Sequence, residues 1–159
     1  MNKEILFIAE QLKDAYEGEP WFGRNMQELL GEVKKKTAVK KIAGQHSILE
    51  LLWHIITWRE FTMSSLGKIK TKSLQQFEEK DWRQLDHNDE SLWQQGLARL
   101  QQTQNELIQS LEKQQDSLLN EIVPERKYNF RKLLHGLIQH DIYHLGQIAY
   151  INKSLQNLE

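Results

Sequence analysis

The chain reads as an all-α protein, a four-helix bundle with one long crossover connection. Three observations predict it. Apolar residues recur at steps of three and four in four separate stretches, and no stretch keeps the alternation of a strand. Only two prolines and eight glycines punctuate the 159 residues. That length suits a single domain, taken as residues 1–159, which buries about two thirds of its unfolded surface and needs no disulfide or metal to fold.

The elements follow in order. Ile5, Ile8, Ala9, Leu12 and Tyr16 mark a first helix that ends near Gly18 and Pro20. A short helix around residues 26–35 follows, then a connection. Ser47-Ile-Leu-Glu opens the second long helix as a capping box, in which Ser47 caps and Glu50 reaches back. Leu51, His54, Trp58, Phe61 and Ser65 form its stripe. From residue 67 to about 88, charged residues outnumber apolar ones, so this stretch reads as a long connection docked by Leu74, Phe77 and Trp82. A helix over residues 47–66 is about 30 Å long. Some twenty residues can run back along it, which lets the next helix lie parallel to it. That third helix is expected to start near Asn88 or Asp89, with Trp93, Leu97, Leu100, Gln104, Leu107 and Leu111 as its stripe. Pro124 separates it from the last helix, about residues 129–155, which carries Phe130, Leu133 and Leu137.

Bulk composition excludes several functions. Twenty-one basic and 22 acidic residues leave a net charge of -1, and such a balance provides no global field to draw nucleic acid or an acidic membrane. The local run Lys34, Lys35, Lys36, Lys40 and Lys41 reads as a solvated face. There is no cysteine, which rules out disulfides, thiolate metal ligands and a cysteine nucleophile. The apolar part of MNKEILFIAEQLKDAY is too short and too interrupted by acids for a signal peptide. ILELLWHIITW, broken by Glu50 and His54, falls short of the roughly 20 residues a bilayer requires. A cytoplasmic protein is expected, without membrane or nucleic-acid partners and with a homodimer left open.

Chemistry concentrates in the histidines. His140 and His144 stand one helical turn apart in LIQHDIYHLGQIAYI, and Leu133, Leu137, His140, His144, Gln147 and Ile151 share one stripe. His54 lies in the middle of the stripe of the second long helix. Each of the three occupies a place where leucine is expected. An imidazole buried without partners loses hydrogen bonds, and three such losses would cost several kcal/mol. One shared divalent metal compensates all three and keeps a fourth position for water or substrate, as in a catalytic site. The alternative is three core histidines, each bonded to a neighbour.

Other residues carry weaker signals. Gln147 is a candidate to bond a metal-bound water or a substrate. Glu50, one turn before His54, is a candidate base or ligand, although its capping role already accounts for it. Asp141 points about 100° away from its neighbouring ligand, which allows a bond to a histidine on another turn, but pairing on the helix surface is the expectation. Tyr143, Trp58 and Trp21 read as core or rim packing, with walls of a pocket as the alternative. His46, His87 and His135 are left out of the site.

The run Ser47-Ile-Leu-Glu-Leu-Leu-Trp-His54-Ile-Ile-Thr-Trp58-Arg-Glu, followed by His140-Asp-Ile-Tyr-His144-Leu-Gly-Gln147-Ile, resembles the DinB/YfiT superfamily of metal-binding four-helix bundles. Trp21-Phe-Gly23 is similar to that family's W-x-G element after its first helix. The resemblance covers nearly the whole chain and implies an up-down-down-up topology with long connections. It also implies a divalent metal, zinc or nickel, held by His54, His140 and His144. The family includes thiol transferases acting with bacillithiol, mycothiol isomerases and members assigned only as hydrolases. The resemblance therefore implies a thiol S-transferase or hydrolase acting on a small electrophilic molecule, with a low-molecular-weight thiol as cosubstrate. A non-catalytic, metal-stabilised, stress-related binding protein is the alternative.

Overall fold

Residues 2–67 and 72–157 are described by the computed structural model, and Lys70 of the long connection lies outside them. The bundle consists of α1 (Lys3–Glu17), α4 (Ile48–Leu66), α6 (Ser91–Glu112) and α7 (Phe130–Gln156). Shorter helices join them: α2 (Met26–Gly31), α3 (Lys35–Ala38), α5 (Leu74–Glu78) and a 3-10 helix at Asp116–Asn120. No helix among the described residues is long and apolar enough to cross a membrane.

The helix starts follow local chemistry. Ser47 Oγ accepts from Glu50 N at 3.1 Å while Ser47 N donates to Glu50 Oε2 at 2.7 Å, the reciprocal box that satisfies two otherwise orphaned donors. Asn25 and Glu28 repeat the device at α2. The short helix expected over residues 26–35 is two pieces, because the chain leaves helical geometry at Lys34, which is extended and starts α3. Likewise α6 begins at Ser91, two or three residues later than expected, since Asp89 Oδ1 accepts from Ser91 N at 2.9 Å and makes a turn of its own there.

Helix directions follow from paired contacts. Trp53 Nε1 donates to Leu92 O at 3.3 Å and Arg59 Nη1 to Gln104 Oε1 at 2.6 Å, so α4 and α6 run parallel. Phe61 shares a cleft with Leu133 and Leu137, whereas His54 meets His144, so α4 and α7 run antiparallel. α1 packs on α6 and α7. Gly96 permits the close approach of α4 and α6, since a Cβ there would stand 2.6 Å from Leu52 Cδ2.

Helix α4 is buried almost all round, as suits the most enclosed helix of the four. Its apolar residues divide between two cores. Leu52 and Ile55 join Trp93 and Ile148 in one, and Phe61 joins Ile5, Leu107 and Leu134 in the other. A polar layer lies between them. Arg59 Nε and Nη2 donate to Asp141 Oδ2 at 3.0 and 2.8 Å. Gln104, which accepts from Arg59, donates through its own Nε2 to Leu12 O at 3.2 Å. One network therefore touches all four long helices.

This network corrects the expectation of surface pairing for Asp141, which is 2% exposed, and Arg59 only 1%. The reason is rotational. Leu134, Leu137, Asp141, Leu145 and Ile148 face the core of α7, while Leu133, His140 and Gln147 are only half-buried. The histidine stripe runs along the edge of the buried face, and the aspartate sits at its centre.

Candidate metal centre

Helix α4 supplies His54 and helix α7 supplies His140 and His144, the latter pair brought to one face by their spacing of four. The antiparallel crossing places the three rings together. His54 Nε2 and His140 Nε2 are 2.9 Å apart, and ring centroids are separated by 4.4 Å between His140 and His144 and 4.5 Å between His54 and His144. One nitrogen from each ring lies within 4.8 Å of the others. His54 and His144 are buried and His140 is half-buried.

The second nitrogen of each ring faces an oxygen. Gln147 Oε1 lies 2.6 Å from His144 Nδ1. Asp81 Oδ1 lies 2.6 Å from His54 Nδ1, a short contact off the line of a good hydrogen bond, and the same oxygen accepts from Trp58 Nε1 at 2.7 Å. Asp141 Oδ1 is 3.8 Å from His140 Nδ1, and both atoms are buried without a hydrogen-bond partner. The Gln147 acceptor favours the Nδ1–H form of His144, which leaves its Nε2 lone pair free. A contact of 2.9 Å between two Nε2 atoms requires a proton on one of them, and His54 and His140 would give up that proton on holding a divalent cation.

Burial keeps the rings of His54 and His144 neutral. It pushes the pKa of His144 down to about 4, against the opposing effect of Gln147 and with help from the neighbouring imidazoles. For His54, burial again lowers the pKa and outweighs the attraction of the Asp81 carboxylate. Both side chains therefore carry free lone pairs at neutral pH, the state a metal ligand needs.

The connection before α6 closes one side of the cluster. Trp82 stacks between His46 and His54, with ring centroids 3.8 and 3.9 Å away. Trp82 is thus more than a docking point, and Asp81 joins it at the cluster; neither role is legible in sequence, because a residue on an irregular segment has no periodicity to assign it a face. His46, left out of the site, reaches it through Trp82. Glu50 is held by Ser47 N and by Lys41 Nζ at 2.9 Å. His87 Nε2 is 3.2 Å from Ser47 Oγ, away from the three-histidine cluster. Tyr143 stands edge-on to His144 at 5.0 Å, largely in solvent. Trp21 is fully exposed, followed by Gly23 at φ 120°, where only glycine is at ease.

Three imidazole nitrogens on rigid helices, with the ring of His144 held from behind by Gln147, fit a divalent ion of intermediate softness. No curated protein and no solved structure matches the chain. Residues 21–148 match the sequence profile of the DinB superfamily, a segment that begins at Trp21 and includes all three histidines. With most of its length matched and three histidines gathered between α4 and α7, the chain belongs to the DinB superfamily.

Proposed function

We propose that the protein is a metal-dependent enzyme that joins a low-molecular-weight thiol to a small electrophile, with a zinc or nickel ion held by His54, His140 and His144. The observation that carries this reading is the convergence of one nitrogen from each of three rings within 4.8 Å. When bound, such an ion supplies Lewis-acid chemistry, lowering the pKa of a thiol or a water so that it is a nucleophile near neutral pH. Burial holds the rings of His54 and His144 neutral, Gln147 orients His144, and Trp82 covers one face.

The surrounding carboxylates favour thiol transfer over hydrolysis. Asp81 faces His54 and accepts from Trp58, Asp141 is paired with Arg59, and Glu50 is engaged by Ser47 and Lys41. Gln147, a candidate for contacting substrate, is already engaged with His144. Hydrolysis calls for a general base beside the attacking water. A thiol, already far more acidic than water, needs less help with its proton. The test is direct. Purified protein should carry about one divalent ion per chain, and a cobalt-substituted sample should change its visible spectrum on titration with 2-mercaptoethanol. Turnover of an ester or amide without any response to thiols would favour hydrolysis. An ion that exchanges with neither thiol nor water would leave a metal-stabilised binding protein.

Asp81 should matter to metal affinity although it lies on no bundle helix. Partners behind a ligating histidine typically contribute about 10–100-fold to affinity. Asp81→Ala is therefore expected to weaken zinc binding by about that factor, measured by competition with a chromophoric chelator. An unchanged affinity would mean that the contact with His54 Nδ1 does not orient the ring.

A further inference from the structure

We infer that the cleft between α4 and α7 beside His140 binds a flat apolar arm of the substrate, a single aryl ring or a group of that size. The inference rests on the proposed function for the reacting end of the molecule, but recognition of the arm depends only on the cleft. The cleft has a volume of about 260 Å³ and is walled by Trp58, Phe61, Tyr128, Leu133 and Leu137, with His140 at its head. Sites for drug-sized ligands run from about 300 to 1,000 Å³, so the occupant here is small.

The polar groups of Trp58 and Thr62 along the cleft are engaged. Trp58 Nε1 donates to Asp81 at 2.7 Å, and Thr62 Oγ1 donates back to Trp58 O at 2.9 Å. Lys132 Nζ rests 5.8 Å from the centre of the Tyr128 ring. A polar group laid against the Trp58, Phe61 and Leu137 wall would lose its own hydration and regain no hydrogen bond from Trp58 or Thr62. An aromatic face would pack against aromatic and leucine side chains.

Gly136 supplies an independent observation. It lies inside α7 and lines the cleft, a helix-interior position where glycine is among the least favourable residues. Neither usual reason for glycine applies. Its φ is not positive, and a Cβ placed on it meets nothing within 4 Å. What a side chain there would do is occupy the cleft.

The experiment compares two thiols on the cobalt-substituted protein, 2-phenylethanethiol and 2-mercaptoethanol. The aryl thiol should bind at least about tenfold tighter, from the apolar area it buries. Gly136→Leu should abolish that preference while leaving metal stoichiometry and the affinity for 2-mercaptoethanol unchanged. Gly136→Ala, which barely fills the space and favours the helix, should reduce the preference only in part. Persistence of the preference in Gly136→Leu would overturn the inference. A second arm uses the metal-free protein and 2-phenylethanol, followed through the methyl resonances of Leu133 and Leu137. Shifts that vanish in Gly136→Leu uphold the cleft even where no thiol reaches the cobalt, a result that would count only against thiol chemistry. Absence of shifts at both leucines would overturn the inference on its own.

Discussion

Arg59→Leu should destabilise the protein by about 3–5 kcal/mol, the usual consequence of leaving one member of a buried ion pair without its partner. The substitution removes both hydrogen bonds to Asp141 Oδ2 and the one to Gln104 Oε1. The remaining carboxylate is 2% exposed, so it must either stay charged in an apolar surround or take up a proton. Urea denaturation of single and double variants measures this. Arg59→Leu combined with Asp141→Leu should recover much of the loss, because two apolar side chains replace a pair whose desolvation offset most of its attraction. A single variant within about 1 kcal/mol of the wild type would show that the pair is not buried in solution.

Loss of a histidine of the cluster should have the largest effect on metal binding. If an orienting partner contributes up to about 100-fold, a ligand itself contributes more, and His140→Ala or His144→Ala should weaken zinc binding by over about 100-fold. His87→Ala should leave affinity unchanged, since its ring contacts Ser47 at the start of α4 and not the cluster. In metal-free protein, His140→Ala should cost only about 1 kcal/mol of stability, since the ring is half-buried and its one hydrogen bond is the 2.9 Å contact with His54 Nε2. Equal losses of affinity at His87 and His140 would sink the assignment.

What the sequence made legible was what repeats. The stripes on α4 and α7 placed His54, His140 and His144 on facing sides of two helices, because helical spacing and burial are coupled through one geometric period. The Ser47 capping box was legible for a similar reason: its chemistry is complete within four residues. The same stripe misjudged Asp141. A buried helix face is wider than a line of steps of three and four, and a carboxylate enters such a face only when a distant cation such as Arg59 meets it. Asp81 and Trp82 were hidden for a different reason. They reach the cluster from a connection whose path depends on where Phe77 docks and on the contacts of Trp82 with His46 and His54, and no local pattern encodes that path.

The polar layer between the two cores has a consequence for alignment. Four helices with apolar stripes can bury comparable area after one slides by a turn past its neighbours, since leucine fits a leucine-lined groove at more than one height. Arg59, Asp141, Gln104 and the Leu12 carbonyl cannot be mated at any other height, because a slip of one turn, about 5.4 Å, would part the guanidinium from the carboxylate and leave both among apolar side chains. Buried polar groups of this kind select one register out of several at a cost in stability. Asp141 is the residue next to His140, so the height locked by the arginine is also the height at which the imidazoles of α7 come level with His54. Repacking either core alone should therefore change stability while the three rings stay in step.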